Sequence, residues 1–583
     1  MRFTAAITLI LAIAGHSIVP VAGQKSAKTR SLTEEQRILH VLNRLGFGAR
    51  RGDVERLKGM GLENYINQQL SPEKIADTVA ENKIKDLTVL NMTTAELYEK
   101  YPQPGQLLRQ LQARGMLPAD LAEARENRVK GGANATPAEM PRKDPVHDSM
   151  TAPEVKPNQT PPGKPLENEK YRKVLEEYYR ENGLQRPQRI IAELQASRIL
   201  RAVYSERQLQ EVMVDFWTNH FNVFAGKGAD RWLLPAYDRD TIRPHVMSKF
   251  STLLQATAQS PAMLFYLDNF QSVSPNARQR LRAPQQQRRG INENYARELM
   301  ELHTLGVDGG YTQKDVQEVA RCFTGWTIFQ PRGGGAAVNA MLGEPGRRNA
   351  GSFFFNARVH DDGEKIFLGH KILAGGGIKD GLMVLDILAK HPSTAKFIAT
   401  KLVRHFVADN PPASLVDRVA AVFTKSEGDI RETLKAIFFS NEFNSREAYR
   451  AKIKRPFELV VSAIRTLGAD TNGGPGTHQW IARMGEPLYG FQTPNGYSDA
   501  AESWVNTGGL LERMNFGIAL ASNRVQGTRV DLGKLTMEES LKMILAGEVS
   551  QATRETLVKQ VDQSDPVAKV VGLILGTPEF QRQ

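Results

Sequence analysis

The sequence predicts a mainly α-helical protein, a multi-helix globular bundle with one small β-hairpin and disordered insertions. Apolar residues recur at helical spacing along most of the 583 residues. The dipeptide Asp362-Gly363 stands between two apolar runs, which is a turn signal for a hairpin. Two stretches have compositions that cannot build a core. The overall make-up, 41% hydrophobic and 24% charged, is that of a chain able to bury one.

The first 23 residues read as a signal peptide. Arg2 supplies positive charge, Phe3 to Ala14 are apolar apart from two threonines, and Val21-Ala22-Gly23 follow the helix breaker Pro20. The stretch is short for a bilayer span, and no later segment offers about 18 uninterrupted apolar residues, so no transmembrane anchor is expected after cleavage. The expected location is periplasmic or extracellular. Cys322 is the only cysteine and cannot cross-link its own chain; Val319, Ala320 and Phe323 around it predict a buried thiol. The formal charge of +12 favours anionic neighbours such as a surface polymer. Export argues against nucleic acid. The densest basic cluster, Arg278, Arg280, Arg282, Arg288 and Arg289, is interleaved with glutamines and reads as a solvated loop.

Residues 24–118 form an N-terminal helical region. Leu32-Thr33-Glu34-Glu35 opens a helix that carries Ile38, Leu39, Leu42 and Leu45, and Gly46-Phe47-Gly48 stops it. Residues 119–169 are rich in Pro, Lys and Glu and read as a disordered insertion, because their apolar content cannot offset the ordering entropy. Residues 170–583 form the main helical domain. Its helices are expected at 187–203, 206–224, 293–305, 312–326, 379–389, 393–408, 413–424, 428–439, 454–467, 504–521, 536–546 and 566–577. A glycine-rich loop at 333–351 interrupts them, followed by the hairpin at about 352–370.

Chemistry-bearing residues gather in three places. In 292–306, Asn292 is a natural N-cap and Gly306 a natural stop. At roughly 100° per residue, Asn294, Arg297, Glu298 and Glu301 share a face and His303 points away. The two carboxylates could hold a divalent cation or divide acid and base roles. The duller alternative is an Arg297–Glu301 pair at i,i+4. In 211–223, Asp215, Asn219 and Asn222 share a face, while His220 lies with Met213 and Phe216. An Asp on a core helix needs a cation or several donors. The third place is His360-Asp361 with Lys365, either a metal or proton-transfer site or an Asx-type turn with a surface histidine. Zinc-type cysteine sets, His-Glu-x-x-His, a phosphate-cradling loop and a Gly-x-Ser-x-Gly elbow are all missing.

The stretches Asp215–Phe221, Asn292–Gly306, Phe323–Trp326, His360-Asp361 with Lys365, His391-Pro392 leading to Lys401-Leu402, Leu39–Gly48 and Pro487–Phe491 together resemble the bacterial family called domain of unknown function 1800. The resemblance implies a large exported or envelope-associated protein. Genes of this family often neighbour another exported family similar to sulfatases and alkaline phosphatases, which implies a co-exported partner of that kind. It implies no catalytic residues. The Gln-rich stretch before Gly290 and the 119–169 segment depart from it as insertions.

Two functional readings remain. In the first, an exported hydrolase or polymer-modifying enzyme acts through Asp215, His220, Asn294, Glu298, Glu301, His303, His360 and Asp361. In the second, a non-catalytic protein binds an anionic surface polymer or a co-exported partner, and the buried acids are internal ion pairs.

Overall fold

The computed structural model describes residues 31–119, 121, 165–277, 290–331, 348–562 and 565–583. The signal peptide, most of the 119–169 insertion, the Arg278–Arg289 cluster and most of the glycine-rich loop lie outside them. The chain forms two compact units, residues 1–95 with 190–583 and residues 96–189.

The larger unit is built from helices wherever amphipathic spacing called for them. Gln188–Tyr204, Gln208–His220, Gln313–Cys322, Ile378–Lys390, Pro392–Phe406, Ala413–Lys425, Ile430–Phe438, Pro456–Leu467, Thr507–Ala521, Met537–Leu545 and Val567–Leu575 are all α-helical. Capping sets several starts: Thr33 with Gln36, Thr312 with Asp315 and Thr536 with Glu539 each close a reciprocal capping box. One continuous core of buried apolar side chains runs from Ile38 to Phe580. Helices Thr507–Ala521 and Val567–Leu575 cross closely because both contribute glycine. A Cβ on Gly517 would stand 2.9 Å from the Gly572 carbonyl oxygen, and one on Gly572 would stand 2.8 Å from the Ile518 Cα.

The helices Asp230–Ala236, Phe250–Ala258 and Pro261–Tyr266 were not among those expected from the sequence. Asp230–Ala236 and Pro261–Tyr266 are short and bury residues on nearly every side, so no polar stripe marks a period, whereas Phe250–Ala258 does carry a buried stripe of Phe250, Leu253, Leu254, Thr257 and Ala258 within only nine residues. The 292–306 segment also departs from a plain helix. Glu293–Glu298 is α-helical, but Leu299–Thr304 is π-helical, which re-aims the residues that follow. Asn292 does cap it, accepting from the Asn294 N–H, and Gly306 leaves it at φ +84°.

The hairpin is displaced from the expected turn. Phe353–Phe355 pairs antiparallel with Trp326–Ile328, and Lys365–Phe367 pairs with His370–Ile372 across Leu368-Gly369. Asp362-Gly363 therefore links two different sheets. The aromatic strand goes to Trp326 because that buried indole offers Phe353 an edge-on partner, with centroids 5.4 Å apart. A third short pair joins Asp470–Thr471 to Thr528–Arg529.

The smaller unit holds helices Pro104–Ala113 and Pro165–Glu181 around Leu107, Leu111, Leu117, Leu121 and Tyr179. Helix Pro165–Glu181 begins inside the tail of the stretch read as disordered, because proline at the first helical position presets φ and loses no hydrogen bond. Among the described residues, no helix is long and apolar enough to cross a membrane.

Candidate functional site

Helix Gln208–His220 is buried on most sides, so each of its polar residues must find partners inside the protein. Asp215 finds two guanidinium groups. Its Oδ1 lies 2.7 Å from Arg198 Nη2, and its Oδ2 pairs with Arg455. The pairing extends in both directions. Arg455 binds Glu486 at 2.8 Å, and the Phe457 N–H donates to the other Glu486 oxygen at 2.8 Å. On the other side Arg198 and Arg243 flank Asp238, at 3.7 and 3.5 Å, and Arg243 binds Glu211 at 2.6 Å. The Tyr489 hydroxyl donates to Asp238 at 3.1 Å. Burial works against the Asp238 carboxylate, yet Arg243, Arg198 and Arg201 outweigh it and hold its pKa below the usual value. Burial pushes Glu486 up to about 7 against the pull of Arg455. A cavity of about 40 Å³ beside Asp215, Arg455 and Glu486 has room for little beyond water.

The end of this helix and Asn222 just beyond it clamp the 486–499 loop. Asn219 donates to the Tyr497 carbonyl at 2.8 Å and accepts its N–H at 2.7 Å, and Asn222 donates to the carbonyls of Phe491 and Thr493. Gly496 lies so close that a Cβ would meet the Asn219 carbonyl at 2.3 Å. Asn219→Ala should therefore lower stability by about 2 kcal/mol, read as a shift in the urea midpoint with unchanged slope.

His220 faces away from Asp215, stacked with Phe216 at 6.3 Å. Its Nε2 donates to the His303 carbonyl at 3.1 Å, and its buried Nδ1 has no partner among the described residues. His303 likewise holds a buried, unpartnered Nε2. Burial, assisted by Lys401, depresses both imidazoles, His303 to about 3. Lys401 is itself lowered by burial, with Asp499 opposing. Asp499 contacts His405 at 3.5 Å.

The remaining candidates have other partners. Asn294 is exposed and reaches the Leu267 carbonyl at 3.4 Å. Glu298 is half-buried, and burial with Glu301 beside it raises its pKa. The Arg297–Glu301 pair does not form. Arg297 instead reaches Glu293 at 3.7 Å and Gln313 at 2.9 Å, and Glu301 accepts from the Tyr311 hydroxyl at 3.2 Å. His360 is not a surface histidine. It is buried with Nδ1 2.7 Å from the Thr324 carbonyl and Nε2 3.2 Å from Asp380, which also binds Lys365 at 2.5 Å. Asp361 pairs with Arg321 at 3.0 Å and accepts the Gly363 N–H, an Asx turn. The eight residues thus fall into separate sets: Asp215 with Arg198 and Arg455, His220 with His303, Glu298 with Glu301, His360 with Asp380, Asp361 with Arg321, and Asn294 at the Leu267 carbonyl. Among the described residues, no group of three or more His, Cys, Asp or Glu is arranged to hold a metal ion. Cys322 is buried, and burial pushes its thiol up to about 12, the inert behaviour its neighbours predicted.

A larger opening lies elsewhere in the same unit. A groove of about 440 Å³ runs between helix Glu34–Arg44, the 49–55 turn, helix Pro456–Leu467, helix Met537–Leu545 and the 579–582 segment. Arg51, Lys542 and Arg582 on its walls are exposed and form no ion pair among the described residues. The carboxylates there are mostly engaged: Glu35 by Lys58, Glu539 by the Thr536 cap, and Glu579 by Ser550 and Thr553.

The stretches Asp215–Phe221, Asn292–Gly306, Lys401-Leu402 and Pro487–Phe491 meet around helix Gln208–His220, while part of Leu39–Gly48 walls the groove. A family model described as protein of unknown function (DUF1800) matches residues 40–582. The chain belongs to this family. No curated protein and no solved structure matches it. In this DUF1800 chain, motif inspection missed Arg198, Glu486, Asp380 and Lys454. The one available signal was the basic run Lys452-Ile-Lys454-Arg455 directly ahead of the apolar-rich segment that forms the wholly buried helix Pro456–Leu467. Cations so placed are carried into the interior with the helix, where each needs a partner.

Proposed function

We propose that the protein is exported and binds an anionic polymer of the envelope or extracellular space in the basic groove. The observation that carries this reading is the 440 Å³ opening walled by Arg51, Lys542 and Arg582, three exposed cations without carboxylate partners among the described residues. The overall charge of +12 and the leader-like N-terminus support it. Asp215, Asp361 and His360 are sealed against cations or neighbouring acceptors, which favours internal networks over an open carboxylate site.

The test is titration with alginate and with polyphosphate at low ionic strength. Binding should weaken steeply with salt. At about 1 kcal/mol per cation facing an anionic surface, the Arg51→Ser/Lys542→Ser/Arg582→Ser variant should bind roughly 100-fold more weakly. A wild-type protein that ignores both polymers in dilute buffer ends this reading.

A further inference from the structure

We propose that Ser462 and Lys454, on the floor of the basic groove, form a nucleophile–base pair for acyl transfer, cleaving esters carried on an anionic chain. The choice of an anionic substrate rests on the binding reading above; the pair itself does not.

Lys454 stands two residues before Pro456, the first position of helix Pro456–Leu467, and folds back along that helix to Ser462. Its Nζ lies 3.0 Å from Ser462 Oγ and 2.9 Å from the Phe580 carbonyl oxygen, and 4.1 Å from the Phe580 ring centroid. Both side chains line the groove. No carboxylate forms an ion pair with this amine among the described residues, and burial, with Arg450 adding to it and Glu458 opposing, brings it down to about 7. The other charges lining the groove are the cations Arg50, Arg51, Arg450, Lys542 and Arg582 and the carboxylates Glu35, Glu55, Glu539 and Glu579. A neutral amine has two N–H groups and one lone pair. The Phe580 carbonyl can only accept, so it takes an N–H, and the lone pair is free for the Ser462 hydroxyl. The pair is nearly enclosed, Ser462 1% and Lys454 4% exposed, and meets the groove only at its floor. Gly48, at φ +94°, packs against the hydroxyl, and a Cβ there would stand 2.8 Å from Ser462 Oγ, so a larger residue would close it off. A serine held by an amine of lowered basicity is a known activated nucleophile in unrelated folds.

In the reaction, Ser462 Oγ bonds to the ester carbonyl carbon while its proton passes to Lys454 Nζ. The carbon–oxygen bond to the leaving alcohol then breaks, and Lys454 returns that proton to the alcohol oxygen. Water attacks the acyl-serine, gives a proton to Lys454, and the acid leaves as Ser462 recovers it.

The test is labelling with an uncharged alkyl fluorophosphonate, located by peptide mass mapping. One phosphonyl group is expected on Ser462, with a rate that rises through about pH 7. Ser462→Ala should abolish it, and Lys454→Met should slow it on the order of 100-fold. Lys454→Arg, which still donates to Phe580 but cannot act as a base, should be equally slow with a melting curve close to wild type. A folded wild type that stays unlabelled between about pH 6 and about 9, or a label that persists in Ser462→Ala, overturns the pair. Because the probe carries no charge, labelling without polymer binding upholds the pair and removes the anionic substrate. Polymer binding without labelling removes the pair alone.

Discussion

Replacing Arg455 with methionine should destabilise the protein by about 3–5 kcal/mol, the cost typical of breaking a buried ion pair from one side. Arg455 is almost fully enclosed and serves two carboxylates at once, Asp215 on helix Gln208–His220 and Glu486 ahead of the 486–499 loop. Methionine fills much of the same space, so the loss is electrostatic rather than a cavity. After the substitution Asp215 keeps only Arg198, and Glu486 keeps only the Phe457 N–H. Glu486 can relieve the strain by binding a proton, because burial already holds its pKa near about 7. The double variant Arg455→Met/Glu486→Gln should therefore recover part of the loss, with a coupling of about 1–3 kcal/mol in urea unfolding. A single-variant loss below about 1 kcal/mol would mean that the network is hydrated and loosely held.

Acid should destabilise the protein already between about pH 6 and about 5. Burial holds His40 and His303 near about 3 and His478 near about 4, and His220 moves the same way. Each is neutral when folded and charges near 6.5 when unfolded. Their contribution is present in full above about 6.5 and is lost as pH falls from there toward 3 or 4. Glu486 acts oppositely. Its raised pKa contributes most below about 4.5, and that contribution is lost as pH rises through about 7. Burial raises Asp230 as well, so it acts with Glu486; one proton is worth about 1.4 kcal/mol per pH unit, and the buried histidines outnumber these two carboxylates. A net loss of about 1 to 3 kcal/mol per pH unit is expected between about pH 6 and about 5. Urea midpoints across that range measure it, and His303→Asn should flatten the slope by one proton's share. A midpoint that holds steady or rises on acidification would contradict the buried, neutral state of these imidazoles.

The helices of the Ala413–Phe438 region could be placed to within a few residues from the chain alone, as could the burial of Cys322 and the opposed faces of His220 and Asp215. All of these follow from the α-helical period, which neighbouring residues impose on one another. The π-helical turn at Leu299–Thr304 broke that rule, since i→i+5 bonding is selected by the packing around it. The partner of Asp215 was not legible either. Arg198 lies 17 residues away and Arg455 lies 240 away, and any of many arginines could have served. The groove is assembled from residues near 35–55, 450–466 and 539–582, brought together by the core beneath them. Periodicity says which side of a helix turns inward, but the neighbour it meets there depends on how the whole set of helices buries its apolar surface at once. The helical, charge-rich scaffold was therefore written locally, whereas the ion network, the displaced strand pairs and the basic groove were decided only when distant segments packed.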